Sequence, residues 1–167
     1  MPNSLMIVTD MRKDSDVVKL VEKTVKKFGR VDILINNAGQ GIYGTVEKIN
    51  LEHYKEIMEL NMFGVLRGMQ AVIPQMRKHG GGMIVNVGSG VTKRYIPGIS
   101  AYSSTKYALN ALSFIARQEL AKEKIIGLPV FAWQLACTLR FSAFWQRCYG
   151  SCIKEKESSF FLLLFRW

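Results

Sequence analysis

The strongest constraint on this chain is an alternation. Two β-branched runs, VDILIN (31–36) and MIVNVG (83–88), are each followed by helical stretches, about 51–78 and about 101–122. Strands alternating with helices of that length define β-α-β units, hence a parallel sheet with helices on both faces. A further apolar run, LMIVTD (5–10), reads as a buried strand ending in an acidic residue. Residues 14–28 follow with helical periodicity, with Asp14, Ser15 and Asp16 as cap candidates and Gly29 as the stop. Their apolar stripe reads Val18, Val21, Val25 and Phe28. Asn50 can cap the helix at 51–78, and Gly80, Gly81 and Gly82 can end it.

Open sheets of this kind bind ligands at the carboxyl ends of their strands. Those ends carry Asp10, then Asn36-Asn37-Ala38-Gly39, then Ser89, so a nucleotide would sit along that edge. Tyr102 and Lys106 stand one helical turn apart in SAYSSTKYALNAL (100–112). The spacing alone is weak, because six tyrosines and many lysines produce such pairs by chance. Taken singly, Ser89 reads as a turn residue, Asn61 as an exposed helix residue, and NNAG as the close of a strand.

Composition narrows the classes. No run of 18 apolar residues occurs, so no membrane-spanning helix is expected. The start of the chain lacks a basic region and a long apolar run, so it does not read as a signal peptide. Without such a peptide, three cysteines point to free thiols in a reducing cytoplasm. The net charge of +10 invites a nucleic-acid partner. That reading is set aside because Lys19, Lys23, Lys26 and Lys27 solvate the outer face of an apolar-striped helix. Cys148 and Cys152 are spaced C-x3-C with no histidine after them, so no metal site is expected, and His53 and His79 are not ligand candidates. Every cysteine and tryptophan lies beyond residue 130.

Taken together, NNAG (36–39), Asn61 in ELNMFGVLRG, Ser89 and YSSTK (102–106) resemble the short-chain dehydrogenase/reductase family in order and spacing. The lead-in VTDMRKDSDV and FGRVDILINNAG resembles it too, over roughly residues 5–124. NNAG argues against a sugar-nucleotide epimerase, which shares Tyr-x-x-x-Lys. The resemblance implies an incomplete Rossmann-like, doubly wound α/β fold and NAD or NADP as cofactor. It also implies a small alcohol or carbonyl as substrate, and a homo-oligomer built through the helices at 51–78 and 101–122. It makes Tyr102 the proton donor, Lys106 its ammonium partner, Ser89 the group holding the substrate oxygen, and Asn61 the holder of a water linked to Lys106. Asp10, Met11, Asn37, Ala38 and Gly39 would meet the adenosine side of the cofactor, and Tyr102 and Lys106 the nicotinamide ribose. The chemistry fits: a developing alkoxide needs a proton donor, and a nearby cation favours the phenolate form of a tyrosine.

Relative to that pattern, the T-G-x-x-x-G-x-G turn and the first two strands are expected to be missing. The loop at 90–100 would line one wall of the site, with Tyr95 and Ile96 giving it apolar character. Residues 1–124 read as the partial cofactor-binding domain, and 125–167 as an aromatic, cysteine-rich tail with the composition of a non-native reading frame. A makeshift strand is expected near 128–136. The rival expectation is a catalytically inactive, truncated relative that acts as a dimerisation or binding partner.

Overall fold

The structure, a computed structural model, describes residues 4–131 and 162–165. Its centre is the pair foreseen from the β-branched runs. Strand β1 (Ile33–Asn36) lies parallel to β2 (Gly82–Gly88), with Ile33 opposite Met83 and Asn36 opposite Asn86. On its far side β2 takes up β3 (Ile125–Phe131), also parallel. The strand expected near 128–136 thus begins earlier, at Ile125, and the remainder of that span lies outside the described residues. A short strand, β4 (Leu162–Phe165), pairs antiparallel with β1 and gives the order β3-β2-β1-β4. The three cysteines, the three tryptophans and FWQRCYG (144–150) also lie outside the described residues.

Residues 5–10 do not form a strand. Strand character requires a hydrogen-bonding neighbour, and the open edge of β1 is taken by β4. Met6 is 83% and Val8 99% exposed, so these apolar side chains do not reach the core, while Thr9 is buried.

Helix α1 (Asp14–Phe28) has the expected span and is closed by Gly29 at φ 84°, a left-handed cap that glycine adopts without strain. Two local expectations change. The cap position is Lys13, with no side-chain cap; Asp14 and Asp16 fall in the first turn, where they favour the helix dipole. The buried stripe is Val17, Leu20, Val21 and Thr24, while Val18 is exposed. Thr24 enters the core because its hydroxyl donates to Leu20 O at 2.8 Å.

The long helix expected at 51–78 is interrupted. Helix α2 (Leu51–Met58) is capped by Asn50, whose side chain accepts from the backbone of Glu52 and His53. A π-helical turn over Glu59–Phe63 follows, closed by Gly64 N–H donating to Glu59 O, and then α3 (Gly64–Lys78). Such one-turn π segments concentrate at functional sites. Gly64 is needed here because a Cβ would lie 3.1 Å from Met11 Cβ and 3.2 Å from Met11 O.

Helices α1, α3 and α4 (Ser100–Leu120) share one core with Leu34, Ile84 and Ile125, through Val21, Val65, Met69, Val72, Met76, Leu109 and Ala116. The alternation of strand side chains puts Ile33, Ile35, Met83, Val85 and Val87 in a separate cluster. No helix belongs to that second cluster among the described residues, so the helices described here cover one face of the sheet.

Candidate active site

The end of β1, the π-helical turn, the end of β2 and the first two turns of α4 converge at the carboxyl edge of the sheet. Lys106 is 6% exposed, and its ammonium donates to Val87 O at 2.9 Å near the end of β2. It lies 5.8 Å from the ring centroid of Tyr102, one turn earlier on α4. Burial disfavours the charged amine, pulling its pKa from the ordinary 10.5 down to about 8. At neutral pH the group is therefore still mostly an ammonium, with its charge lost above about 8.

Asn61 is fully buried, not the exposed helix residue its position alone implied. Its Nδ2 donates to Gln40 O at 2.8 Å and to Thr105 Oγ1 at 3.1 Å, and its Oδ1 accepts from Gln40 N–H at 2.8 Å. The π-helical turn brings Asn61 to the backbone of Gln40, the residue after NNAG, a contact invisible to helical periodicity. A Cβ on Gly39 would lie 3.2 Å from Asn61 Oδ1 and 3.6 Å from Lys106 Nζ. Gly39, Asn61, Tyr102 and Lys106 are thus neighbours.

Ser89 follows β2, and its Oγ accepts weakly from Val91 N–H at 3.4 Å, opening a short 3₁₀ turn over Gly90–Lys93. The remaining predicted residues are placed apart. Asp10 forms a two-pronged ion pair with Arg12, at 2.9 Å on each oxygen, which holds its carboxyl below the usual range. Met11 is buried against Val17 and Leu60, with Ala38 packed on the same small cluster. Asn37 is half-buried beside them. In the wall at 90–100, Tyr95 is 90% exposed and stacks on Tyr107 at 5.9 Å. Gly98, at φ 85°, leaves no room for a side chain beneath the Tyr43 ring.

Sequence reasoning missed three contributors. Thr105, fully buried, joins α4 to Asn61. A buried polar relay beneath the site runs from Asn36 Nδ2 to Asn86 Oδ1 (2.8 Å), then from Asn86 Nδ2 to Ser113 Oγ (2.9 Å), tying β1, β2 and α4 together. Tyr54 of α2 bonds the Ser104 hydroxyl at 2.6 Å. Only polar residues at core-facing strand positions, as in VNV at 85–87, could have flagged the relay.

Three parallel strands with a buried lysine, a tyrosine and a glycine gathered at their carboxyl edge define an open α/β sheet, with its candidate site where such sheets bind ligands. The family model for short chain dehydrogenases matches residues 2–131, and the chain belongs to that family. It is 38% identical over 122 residues to an uncharacterized oxidoreductase of Methylorubrum extorquens, covering 73% of this chain and 48% of that protein. It is likewise 38% identical over 117 residues to a diacetyl reductase of Staphylococcus aureus, covering 70% and 45%. Among solved structures, an NAD+-bound xylitol dehydrogenase superposes with a TM-score of 0.71 at 31% identity, covering 74% of this chain and 48% of the other. The chain spans about half the length of the curated relatives it matches.

The residues present fit the nicotinamide-ribose half of an NAD(P) site. An ammonium has three donors; Lys106 commits one to Val87 O, and Gly39 carries no Cβ between it and solvent. No T-G-x-x-x-G-x-G pattern lies within the 167 residues, so a pyrophosphate cradle of that type is not supplied by them. Among the described residues no helix is long and apolar enough to cross a membrane.

Proposed function

We propose that this chain carries the proton-transfer site of an NAD(P)-dependent oxidoreductase interconverting an alcohol and a carbonyl. The carrying observation is the buried Lys106 ammonium 5.8 Å from the Tyr102 ring, anchored by Val87 O. The bound cofactor supplies or accepts the hydride. Tyr102 gives its proton to the oxygen that becomes an alcohol, and recovers it in the reverse direction. Lys106 stabilises the phenolate left behind. Ser89 Oγ, held only by a long 3.4 Å contact, is available to donate to the substrate oxygen where charge develops. Asn61 holds the turn at Gly39 and Gln40 against Lys106, and the remaining lone pair of Oδ1 serves the water.

Tyr102 and Lys106 would hold the nicotinamide ribose, with Asn37, Ala38 and Gly39 on the adenosine side and Asp10 and Met11 beyond them. The Asp10–Arg12 pair lies at the surface, so opening it for a ligand costs about 1 kcal/mol or less. The relatives make small dicarbonyls and polyols the first substrates to try. We place the protein in the cytoplasm as a homo-oligomer, a reading supported by exposed Phe63, Phe114 and Ile115 on the expected interface helices.

The test is titration of NADH and NADPH fluorescence, followed by turnover with that panel. Tyr102→Phe is expected to lower turnover by about a hundredfold or more while leaving cofactor affinity nearly unchanged; an active Phe variant refutes the assignment. A second reading is an inactive relative serving as a dimerisation partner, one whose 167 residues hold no T-G-x-x-x-G-x-G pattern. It predicts no fluorescence change at millimolar cofactor and a stable dimer by light scattering.

A further inference from the structure

We propose that Thr105 is a positioning residue that locks Asn61, and through it the turn at Gly39 and Gln40, onto the helix carrying Tyr102 and Lys106. Within Tyr-x-x-x-Lys this residue reads as filler. In the structure it is completely buried, and both sides of its hydroxyl are committed. The O–H donates to Tyr102 O at 2.8 Å, so only its lone pairs face Asn61, where they accept from Nδ2 at 3.1 Å. The other Nδ2 hydrogen goes to Gln40 O and the Asn61 oxygen accepts Gln40 N–H, each at 2.8 Å.

This chain of bonds has one polarity. Turning the amide over would set N–H against N–H at Gln40, and oxygen against a hydroxyl whose hydrogen already serves Tyr102. The Gln40 backbone thus fixes the amide orientation, and the Thr105 hydroxyl ties the amide, so oriented, to α4. The Gly39–Gln40 segment walls the lysine on one side, since a Gly39 Cβ would lie 3.2 Å from Asn61 Oδ1 and 3.6 Å from Lys106 Nζ. Without the Thr105 hydroxyl, Asn61 keeps its bonds to Gln40 but loses its tie to α4, and the wall can part from the lysine. The inference deepens the proposed oxidoreductase site, yet its consequences appear in the ligand-free chain.

The test uses the full 167-residue chain and two readouts: amide hydrogen exchange at Gln40, and the pH midpoint of Lys106 modification by reductive methylation. Thr105→Val keeps the side-chain shape and removes the hydroxyl. It should raise Gln40 exchange about tenfold while leaving the core amides of Leu34 and Ile84 unchanged. As water reaches the lysine, its midpoint should also move up from about 8 toward the ordinary 10.5. Thr105→Ser, which restores the hydroxyl, should return both readouts to wild type. Unchanged readouts in the Val variant, or a Ser variant that behaves like Val, would overturn the proposal. If the Val variant does not fold, Thr105→Ala replaces it under the same criteria. Failure of NAD(P)H to bind would count against the functional reading and leave these two readouts standing.

Discussion

Replacing Lys106 with methionine should make this protein more stable at neutral pH while removing the proposed proton-transfer activity. Lys106 is 6% exposed, and burial lowers its pKa from 10.5 to about 8. At about 1.36 kcal/mol per pH unit, holding the charge in that site costs about 3 kcal/mol at pH 7. Methionine, of similar length, abolishes the penalty but loses the charged bond to Val87 O, worth about 2 kcal/mol. The net expectation is a gain of about 1 kcal/mol at pH 7. A basic group with a lowered folded pKa binds more protons in the unfolded chain between about 8 and 10.5. The wild type therefore gains stability as pH rises through that window, with the penalty in full below it and gone above it. Paired urea titrations at pH 7 and pH 10 isolate the effect, because every other titrating group cancels in the difference. The advantage of Lys106→Met should shrink toward zero at the higher pH. A Met variant less stable at pH 7, or a gap that ignores pH, would refute the reasoning.

Three further outcomes follow from packing and polar contacts. Gly68→Ala places a Cβ 2.8 Å from Asn36 Oδ1, a buried atom that already lacks a hydrogen-bond partner, and should cost about 1–3 kcal/mol in urea denaturation. Ser113→Ala strips the acceptor from buried Asn86 Nδ2 and should cost about 1–3 kcal/mol, with wild-type stability in the variant counting against the relay. Tyr54→Phe removes the bond to Ser104 that ties α2 to α4; a loss of about 1 kcal/mol is expected, read as faster amide exchange confined to α2.

How much of the fold was legible depended on how local its cause was. The spans of α1, β1, β2 and α4 came through because β-branched runs, helical periodicity and left-handed glycines act within a few residues. The strand expected at 5–10 failed on a nonlocal condition, since its apolar composition suits a strand but no neighbour pairs with it. The stripe of α1 slipped by one position because burial at Thr24 depends on a backbone bond that a hydropathy pattern scores as polar. The π-helical turn left no trace because its one extra residue per turn barely disturbs the periodicity of 51–78.

The site shows the same division more sharply. Tyr102 and Lys106 stand out in the sequence only together with NNAG, which holds Gly39, and with Asn61 and Ser89. What holds them in register spans much longer separations. Asn61 reaches Gln40 across 21 residues and Thr105 across 44, while Asn36 reaches Asn86 across 50. Each of these side chains looks unremarkable where it stands in the sequence, and each is buried at its end of the bond. A buried amide without a partner costs about 1–3 kcal/mol, and apart from Asn36 Oδ1 these side-chain atoms are satisfied by distant segments. The proposed pair was therefore legible from the motifs that accompany it, whereas the scaffold that aims it became legible only once the chain had been folded.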